Sequence, residues 1–212
     1  MINISHIHID GFEASIRGMR NPMNSWDKSD SNFNTNINEH HVWVGANDKK
    51  LMLSLVKAGS DHRKFMRMIN VTMDINAPLY WWKEFDTYKV GTVANSCSTM
   101  HKIHDKEFTL DDFSHEHLVG SSMPILKTTI EVLNYWRDAY NLYNNKEYWW
   151  QMIQLLPSTY NQLRTVQLNY EVLFNIYFAR KEHKLDEWRI FCETILTLPL
   201  MDEFINYNKE IK

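Results

Sequence analysis

Hydrophobic and polar positions alternate in short blocks along the first half of the chain. Apolar residues occupy every second position over residues 2–9, and the pattern returns over residues 71–75, so two β-strands are predicted there. Between and after these strands the apolar positions recur at helical spacing. The predicted helices cover residues 12–19, 47–58, 61–68 and 78–85.

The second half of the chain has mainly helical spacing. Residues 126–143 carry apolar side chains every three or four positions, which is the pattern of a helix with one buried face. No linker or internal repeat separates the blocks, so the sequence predicts one domain of the α/β or α+β class over residues 1–212. The other elements predicted in this half are a helix ending at Pro157, a strand over residues 164–168, and helices over residues 169–180 and 185–197.

Residues 23–41 show neither pattern. The segment is rich in Ser, Asn and Asp and predicts a long loop, and a loop of that length inside a compact domain is usually functional or mobile. It contains polar and aromatic groups at Trp26, Asp27, Lys28 and Asp30. The segment is therefore predicted to be able to close over a site as a lid.

Composition and charge narrow the class of protein. Hydrophobic residues make up 44% and charged residues 23% of the 212-residue chain, which is typical of a globular domain. The net charge of −3 predicts no general attraction to nucleic acid polymers. No apolar run is long enough to span a membrane, and two cysteines without a secretory leader predict a reducing, cytoplasmic setting. Frequent Asn and Lys are typical of an AT-rich bacterial or phage genome.

Six short motifs occur in an order and spacing that belong to one family. The second half has a Leu-Leu-Pro turn, a strand that ends in Asn, a second Asn, and an Arg before a helix. The matching positions are 59, 62, 71–75, 77–78, 83–84, 87–100, 155–157, 165–171, 175, 180 and 185–188. Over roughly residues 51–189 the chain resembles the flavin-dependent thymidylate synthases.

This resemblance implies a short central sheet flanked by helices, a homotetramer, and binding of FAD and of the small nucleotide dUMP. Amide side chains can pair with the edge of a ring, and arginine can bind a phosphate through two hydrogen bonds. By position, the cofactor would be contacted by His62, Arg63, Asn169 and Asn175. The nucleotide would be contacted by Lys89, Thr92, Asn95, Ser96, Ser98 and Arg180.

The family's signature is heavily altered in this chain. The positions of its Arg, His and Glu residues are occupied by Thr87, Tyr88, Lys89, Ser96, Met100, Ile153 and Glu171. Each lost charge-assisted hydrogen bond to an anion is worth about 1.5–3 kcal/mol, so their combined loss removes most phosphate affinity unless other cations replace them. The cations available for that replacement are Arg63, Lys64, Arg67, Lys83 and Lys89.

Three functional hypotheses follow. The leading one is a nucleotide-binding protein on this fold that has lost the family's reaction, for example a phage protein that sequesters a nucleotide signal. The alternative is an active FAD- and folate-dependent thymidylate synthase that methylates dUMP. The third is a structural relative without a ligand. No catalytic residue is assigned.

Other motifs add little. Histidines are paired at residues 6 and 8, 101 and 104, and 115 and 117, but no pair has a third ligand beside it, so no metal site is predicted. The tandem tryptophans at 81–82 and 149–150 are predicted in the core or at a subunit interface. Residues 91–98 are predicted to form a ligand-binding loop, with a plain loop as the alternative.

Overall fold

The computed structural model describes residues 1–33, 35–36, 39–40 and 43–209. Contacts between Cα atoms divide the chain into two compact units. The first unit comprises residues 1–5, 74–88 and 94–166, and the second comprises residues 6–73, 89–93 and 167–212. A single nucleotide-binding domain over residues 1–212 stays a prediction.

Strands and helices are mixed along the described residues. The strands are β1 (Asn3–Asp10), β2 (Thr35–Asn36), β3 (Glu39–His40), β4 (Asn70–Pro78), β5 (Thr92–Ser96) and β6 (Asn161–Asn169). The helices are α1 (Phe12–Arg20), α2 (Ala46–Lys57), α3 (Leu79–Phe85), α4 (Ser122–Tyr143), α5 (Lys146–Leu155), α6 (Tyr170–Arg180), α7 (Asp186–Thr197) and α8 (Met201–Lys209). One antiparallel sheet has the order β1-β4-β6-β5, and β2 pairs with β3 in a small second sheet.

The period of two in the sequence is visible in the burial of β4. Val71, Met73, Ile75 and Ala77 are buried, while the residues between them are partly exposed. Such alternation places one face of a strand in the core and leaves the other face accessible. The prediction of a mixed α/β class with a helical C-terminal half is confirmed.

The first unit is built around the helix pair α4 and α5, which pack against each other. Helix α3 contributes Trp81 and Trp82, which are both fully buried, and Trp82 Nε1 donates a hydrogen bond to the Gln162 carbonyl oxygen at 2.9 Å. The prediction that this tryptophan pair lies in the core is therefore confirmed. The core between α4 and α5 comprises Ile103, Phe108, Phe113, Leu126, Ile130, Leu133 and Met152.

The second unit contains α6, α7 and α8, which pack against one another, and α2, which packs on α8. Its first helix begins after Gly11, which has a φ of 89°. A Cβ atom at this position would lie 2.0 Å from the carbonyl oxygen of Met68. Only glycine satisfies both the left-handed backbone and this close approach.

A buried carboxylate joins the start of the predicted long loop to α2. Asp48 is fully buried, and its Oδ1 accepts a hydrogen bond from Arg20 Nε at 2.6 Å. Its Oδ2 accepts from Ser29 Oγ, from the Asp30 N–H, and from both the N–H and the hydroxyl of Ser31. Burial by itself raises the pKa of Asp48, but the hydrogen bonds outweigh burial and lower that pKa.

The structure differs from the sequence-based elements in several places. Within the predicted loop at 23–41, the described residues include the 3₁₀ segment Trp26–Lys28 and the paired strands β2 and β3. Residues 92–96, predicted as part of a loop, form the edge strand β5, where exposed polar side chains are tolerated. Residues 61–68 are helical only as the 3₁₀ segment Arg63–Met68, and α8 was not predicted. Residues 34, 37, 38 and 41 of the 23–41 loop lie outside the described residues, and its lid role stays a prediction.

Candidate functional site

A polar cleft in the first unit contains Ser98, one of the residues predicted to contact a nucleotide. Its volume is about 460 Å³, and its walls carry four side-chain amides, two carboxylates and one lysine. We call it the amide cleft. It is lined by Asn3, Ser5, Asn76, Cys97, Ser98, Thr99, Lys106, Asp111, Asp112, Tyr160, Asn161, Gln162 and Leu163.

Gln162 is held in one orientation by its neighbours. Its Nε2 donates to the Cys97 carbonyl oxygen at 2.7 Å, and its Oε1 accepts from Arg164 Nε at 2.9 Å. The Arg164 guanidinium in turn lies 4.2 Å from the centre of the buried Trp82 ring, in a cation–π contact. The Gln162 side chain is therefore fixed before any ligand arrives, which lowers the entropic cost of a contact with it.

The charged groups of the amide cleft give it a slight negative balance. Lys106 Nζ lies 3.1 Å from Asp112 Oδ1, and Asp111 adds a second carboxylate to the walls. Burial and then the Asp112 carboxylate raise the pKa of Tyr160, so its hydroxyl remains a hydrogen-bond donor at neutral pH. Such a cleft suits an uncharged hydrogen-bonding group better than a phosphate.

Ser98 organises the turn at one side of the amide cleft. Its Oγ accepts hydrogen bonds from the N–H of Met100 at 3.1 Å and from the N–H of His101 at 2.9 Å. The hydroxyl proton can still donate to a ligand. Asn95 and Ser96, also predicted to contact the nucleotide, are exposed on β5 and are not among the residues that line the cleft.

In the second unit, two of the predicted cofactor residues contact each other. Arg63 donates from Nη2 to Asn175 Oδ1 at 3.2 Å and from Nε to Glu171 Oε1 at 3.3 Å, while its guanidinium lies 4.6 Å from the centre of the Phe174 ring. Arg67 donates to the other carboxylate oxygen of Glu171. The buried Glu171 thus binds both arginines, at a position where the resemblance expects an arginine.

Asn169, the third predicted cofactor residue, has a structural role at the start of α6. Its Oδ1 accepts a hydrogen bond from the Val172 N–H at 3.1 Å and caps the helix. Its Nδ2 lies so near Gly91 that a Cβ atom there would come within 2.8 Å of it. The Thr92 hydroxyl oxygen next to this contact is buried and has no hydrogen-bond partner among the residues that the structure describes.

Arg180 lies in the last turn of α6 and faces a different side of that helix from Asn175. Five residues at about 100° each separate them by about 140° around the helix axis. The Arg180 guanidinium lies 4.8 Å from the centre of the buried Trp188 ring on α7. The structure therefore does not bring Arg180 to the Arg63–Asn175 contact, although both lie in the same unit.

The predicted cofactor residues fit FAD poorly. A flavin dinucleotide carries a diphosphate that needs cations or N–H donors. Arg63 is already bonded to Glu171 and Asn175, and Asn169 is a helix cap. His62 is exposed and remains accessible. Three of the four predicted contacts are thus engaged within the protein.

Several residues of the amide cleft were missed by sequence reasoning. Tyr160, Asn161 and Gln162 form a run of three hydrogen-bonding residues, separated only by Leu163 from the predicted strand at 164–168. That run was the available signal, because polar residues at the start of a strand often line a site. Asp112 and Lys106 come from a region without a periodic pattern, where the sequence contains no signal that points to a site.

Comparison with solved structures shows which proteins share this fold. A thymidylate synthase X from Helicobacter pylori, solved with FAD and dUMP, matches with a TM-score of 0.68 and 14% identity over 99% of this chain and 100% of its own. A second structure of that enzyme, also complexed with FAD and dUMP, matches with a TM-score of 0.68 and 13% identity over 97% and 99% of the two chains. A UMP/dUMP methylase PolB from Streptomyces cacaoi, bound with 5-Br dUMP, matches with a TM-score of 0.59 and 9% identity over 99% and 94%.

At these identities the likeness concerns the fold alone, and it confirms the fold implied by the sequence motifs. No family model and no curated protein matches the chain. Within the described ranges, no group of three or more His, Cys, Asp or Glu side chains is arranged to hold a metal ion. No helix of the described part of the chain is long and apolar enough to cross a membrane.

Proposed function

We propose that the chain binds a uracil nucleotide in the amide cleft and does not carry out the flavin-dependent methylation of dUMP. The observation that carries this proposal is the set of four amides around Ser98, in a fold whose solved examples contain uracil nucleotides. Binding without turnover removes the nucleotide from solution, so sequestration is the corresponding biological role. The homotetramer remains an expectation from the resemblance.

The chemistry of the amide cleft supports a pyrimidine base. Uracil presents an acceptor, a donor and a second acceptor along one edge. The amides of Asn3 and Asn76 each offer both a donor and an acceptor. The NH₂ group of Asn161, whose Oδ1 already accepts from Ser114 Oγ, and the protonated Tyr160 hydroxyl add donors. Neutral partners of this kind recognise a base without needing a charge.

The loss of the methylation reaction is supported by the second unit. Glu171 accepts from Nε of both Arg63 and Arg67, so a flavin phosphate would have to compete with this buried carboxylate for both arginines. Reduced FAD would supply the hydride for such a reaction when bound. Two of the residues expected to hold it, Arg63 and Asn175, are instead bonded to each other.

Isothermal titration of the full chain with dUMP tests the binding proposal. Asn76 lines the cleft, whereas Asn95 was predicted from the resemblance but lies outside it. Asn76→Ala should weaken dUMP binding about tenfold, the value of one hydrogen bond to a ligand, and Asn95→Ala should leave it unchanged. If Asn95→Ala weakens dUMP binding and Asn76→Ala does not, the amide cleft is not the binding site. If dUMP shows no saturable binding to the unmodified chain, the proposed function is wrong.

An active flavin-dependent synthase is the second candidate. It is favoured by the match over 99% of the chain to an enzyme solved with FAD and dUMP. Purified protein that retains flavin absorbance through gel filtration and converts dUMP to dTMP would establish this candidate. Colourless protein that binds dUMP without product formation supports binding alone.

A further inference from the structure

A second pocket lies beside the amide cleft, within the first unit. Its volume is about 350 Å³, and its walls include Met100, His101, His104, Tyr140 and Trp149. Asn144 and Lys146, which is the first residue of α5, complete the lining. We call it the basic aromatic pocket. The proposed function does not use it.

The aromatic walls of this pocket are held in place. Trp149 Nε1 donates a hydrogen bond to the Met100 carbonyl oxygen at 2.9 Å. The rings of His104 and Tyr140 meet edge to face with their centres 4.8 Å apart. Because these side chains are already held, they lose little additional freedom when a ring stacks on them, and stacking tolerates every base because each has a π face.

The charges of the basic aromatic pocket oppose those of the amide cleft. Its lining contains a lysine and two histidines and no carboxylate. The nearby Asp105 is already paired with Lys102 Nζ at 3.1 Å and with His104 Nε2 at 3.2 Å. Within the described residues, Lys146 forms no ion pair. An anion is therefore favoured here and disfavoured in the amide cleft, where two carboxylates face one lysine.

One turn of backbone connects the two sites. Ser98, which lines the amide cleft, accepts a hydrogen bond at 2.9 Å from the N–H of His101, which lines the basic aromatic pocket. A mononucleotide whose base occupies the cleft leaves the aromatic walls of the pocket without a ring to stack on them. A ligand with a neutral base at one end, and a phosphate and a second ring at the other end, matches the chemistry of both the amide cleft and the basic aromatic pocket.

We propose that the basic aromatic pocket binds the phosphate and the second ring of a dinucleotide whose first base occupies the amide cleft. Lys146 and His101 contact the phosphate that links the two nucleosides, a group that dUMP lacks, and Trp149 stacks on the second ring. This inference rests on the proposed function for the position of the first base. It predicts that the chain prefers a dinucleotide to a mononucleotide.

The test compares the affinity of the full chain for dUMP and for the 5′-phosphorylated dinucleotide of deoxyuridine. The unmodified chain should bind the dinucleotide about tenfold or more tightly than dUMP, the value of one stacked base. Trp149→Ala and Lys146→Met should each remove most of that preference and leave dUMP affinity unchanged. Lys127→Met removes an exposed lysine of α4 outside the pocket and should change neither affinity.

Each outcome separates this inference from the proposed function. If the two ligands bind with equal affinity, or if the preference for the dinucleotide remains in both Trp149→Ala and Lys146→Met, the proposed role of the basic aromatic pocket is wrong. If the preference for the dinucleotide depends on Trp149 while Asn76→Ala has no effect on affinity, the proposed role of the basic aromatic pocket is supported and that of the amide cleft is wrong. If neither ligand binds, both this inference and the proposed function are wrong. Circular dichroism of each variant, matched to that of the unmodified chain, excludes misfolding as the cause of a loss.

Discussion

Asp48→Asn is the substitution that the structure makes most informative. The Asp48 carboxylate is fully buried and accepts five hydrogen bonds, one of them from Arg20, which is 4% exposed. An asparagine has nearly the same shape but only one acceptor oxygen. If that oxygen faces the four donors around Oδ2, the new NH₂ group faces Arg20 Nε, and two donors oppose each other.

The expected cost is large because Arg20 would keep a buried charge without its counter-ion. Removal of one partner from a buried ion pair destabilises a protein by about 3–5 kcal/mol. Arg20 retains one hydrogen bond, from Nη1 to the Ser25 carbonyl oxygen at 3.1 Å, which places the cost near the lower end. A loss of about 3 kcal/mol lowers Tm by about 6–12 °C in a chain of this size.

Urea unfolding followed by circular dichroism measures this loss. The matched control is Asp105→Asn, because Asp105 also pairs with a cation but is 49% exposed, and its partner Lys102 is 74% exposed. An exposed pair of this kind contributes less than about 1 kcal/mol. If Asp48→Asn costs no more than Asp105→Asn, the buried carboxylate does not stabilise the unit as argued.

The same carboxylate predicts a pH dependence with a defined sign. The pKa of Asp48 is lower in the folded protein than its ordinary value of 3.8. Its stabilisation is therefore complete above the unfolded value and is lost as the pH falls through the lower folded value. The free energy of unfolding of the unmodified chain should fall more steeply below about pH 4 than that of Asp48→Asn. Parallel curves for the two proteins would contradict the assignment.

Three further predictions concern other parts of the chain. Gly11→Ala should lower the free energy of unfolding by more than about 1 kcal/mol, because its Cβ would meet the Met68 carbonyl at a left-handed φ; an unchanged urea midpoint would refute this. Glu171→Gln should destabilise the chain by about 1–3 kcal/mol and should also strengthen FAD binding in a titration, since it frees two arginines. Cys97 is exposed, whereas burial raises the pKa of Cys192 to about 12, so a thiol reagent should modify one cysteine in native protein and two in denaturant.

The elements that the sequence predicted correctly are those with a strong period. Residues 71–75 alternate cleanly, and β4 buries every second side chain of that segment. The helical spacing over 126–143 is likewise present as α4. Such elements bury one face, so the apolar pattern that stabilises them can be read directly from their own sequence.

The elements and contacts that were not predicted depend on distant partners. Four of the five residues of β5 are Thr, Ala, Asn and Ser, with Val93 as the one strong strand former, and the segment is a strand because β6 offers a sheet edge to it. The same holds for the candidate site. The role of Asn169 as a cofactor contact stays a prediction: its cap on the Val172 N–H is a local feature, but its close approach to Gly91 is a packing distance that no local pattern contains. The engagement of Arg63 by Glu171 spans 108 positions of sequence.

Glu171 occupies a position where the resemblance expects an arginine, and this carboxylate affects where the chain can hold an anion. A ligand phosphate in the second unit would compete with the Glu171 carboxylate for Arg63, and each charge-assisted hydrogen bond it displaced would reduce affinity by about 1.5–3 kcal/mol. That loss corresponds to about ten- to hundredfold in the dissociation constant. Lys146 carries no such cost, because no carboxylate lines its pocket. Anion binding is therefore less costly at the basic aromatic pocket than at the positions that the resemblance assigns to the flavin.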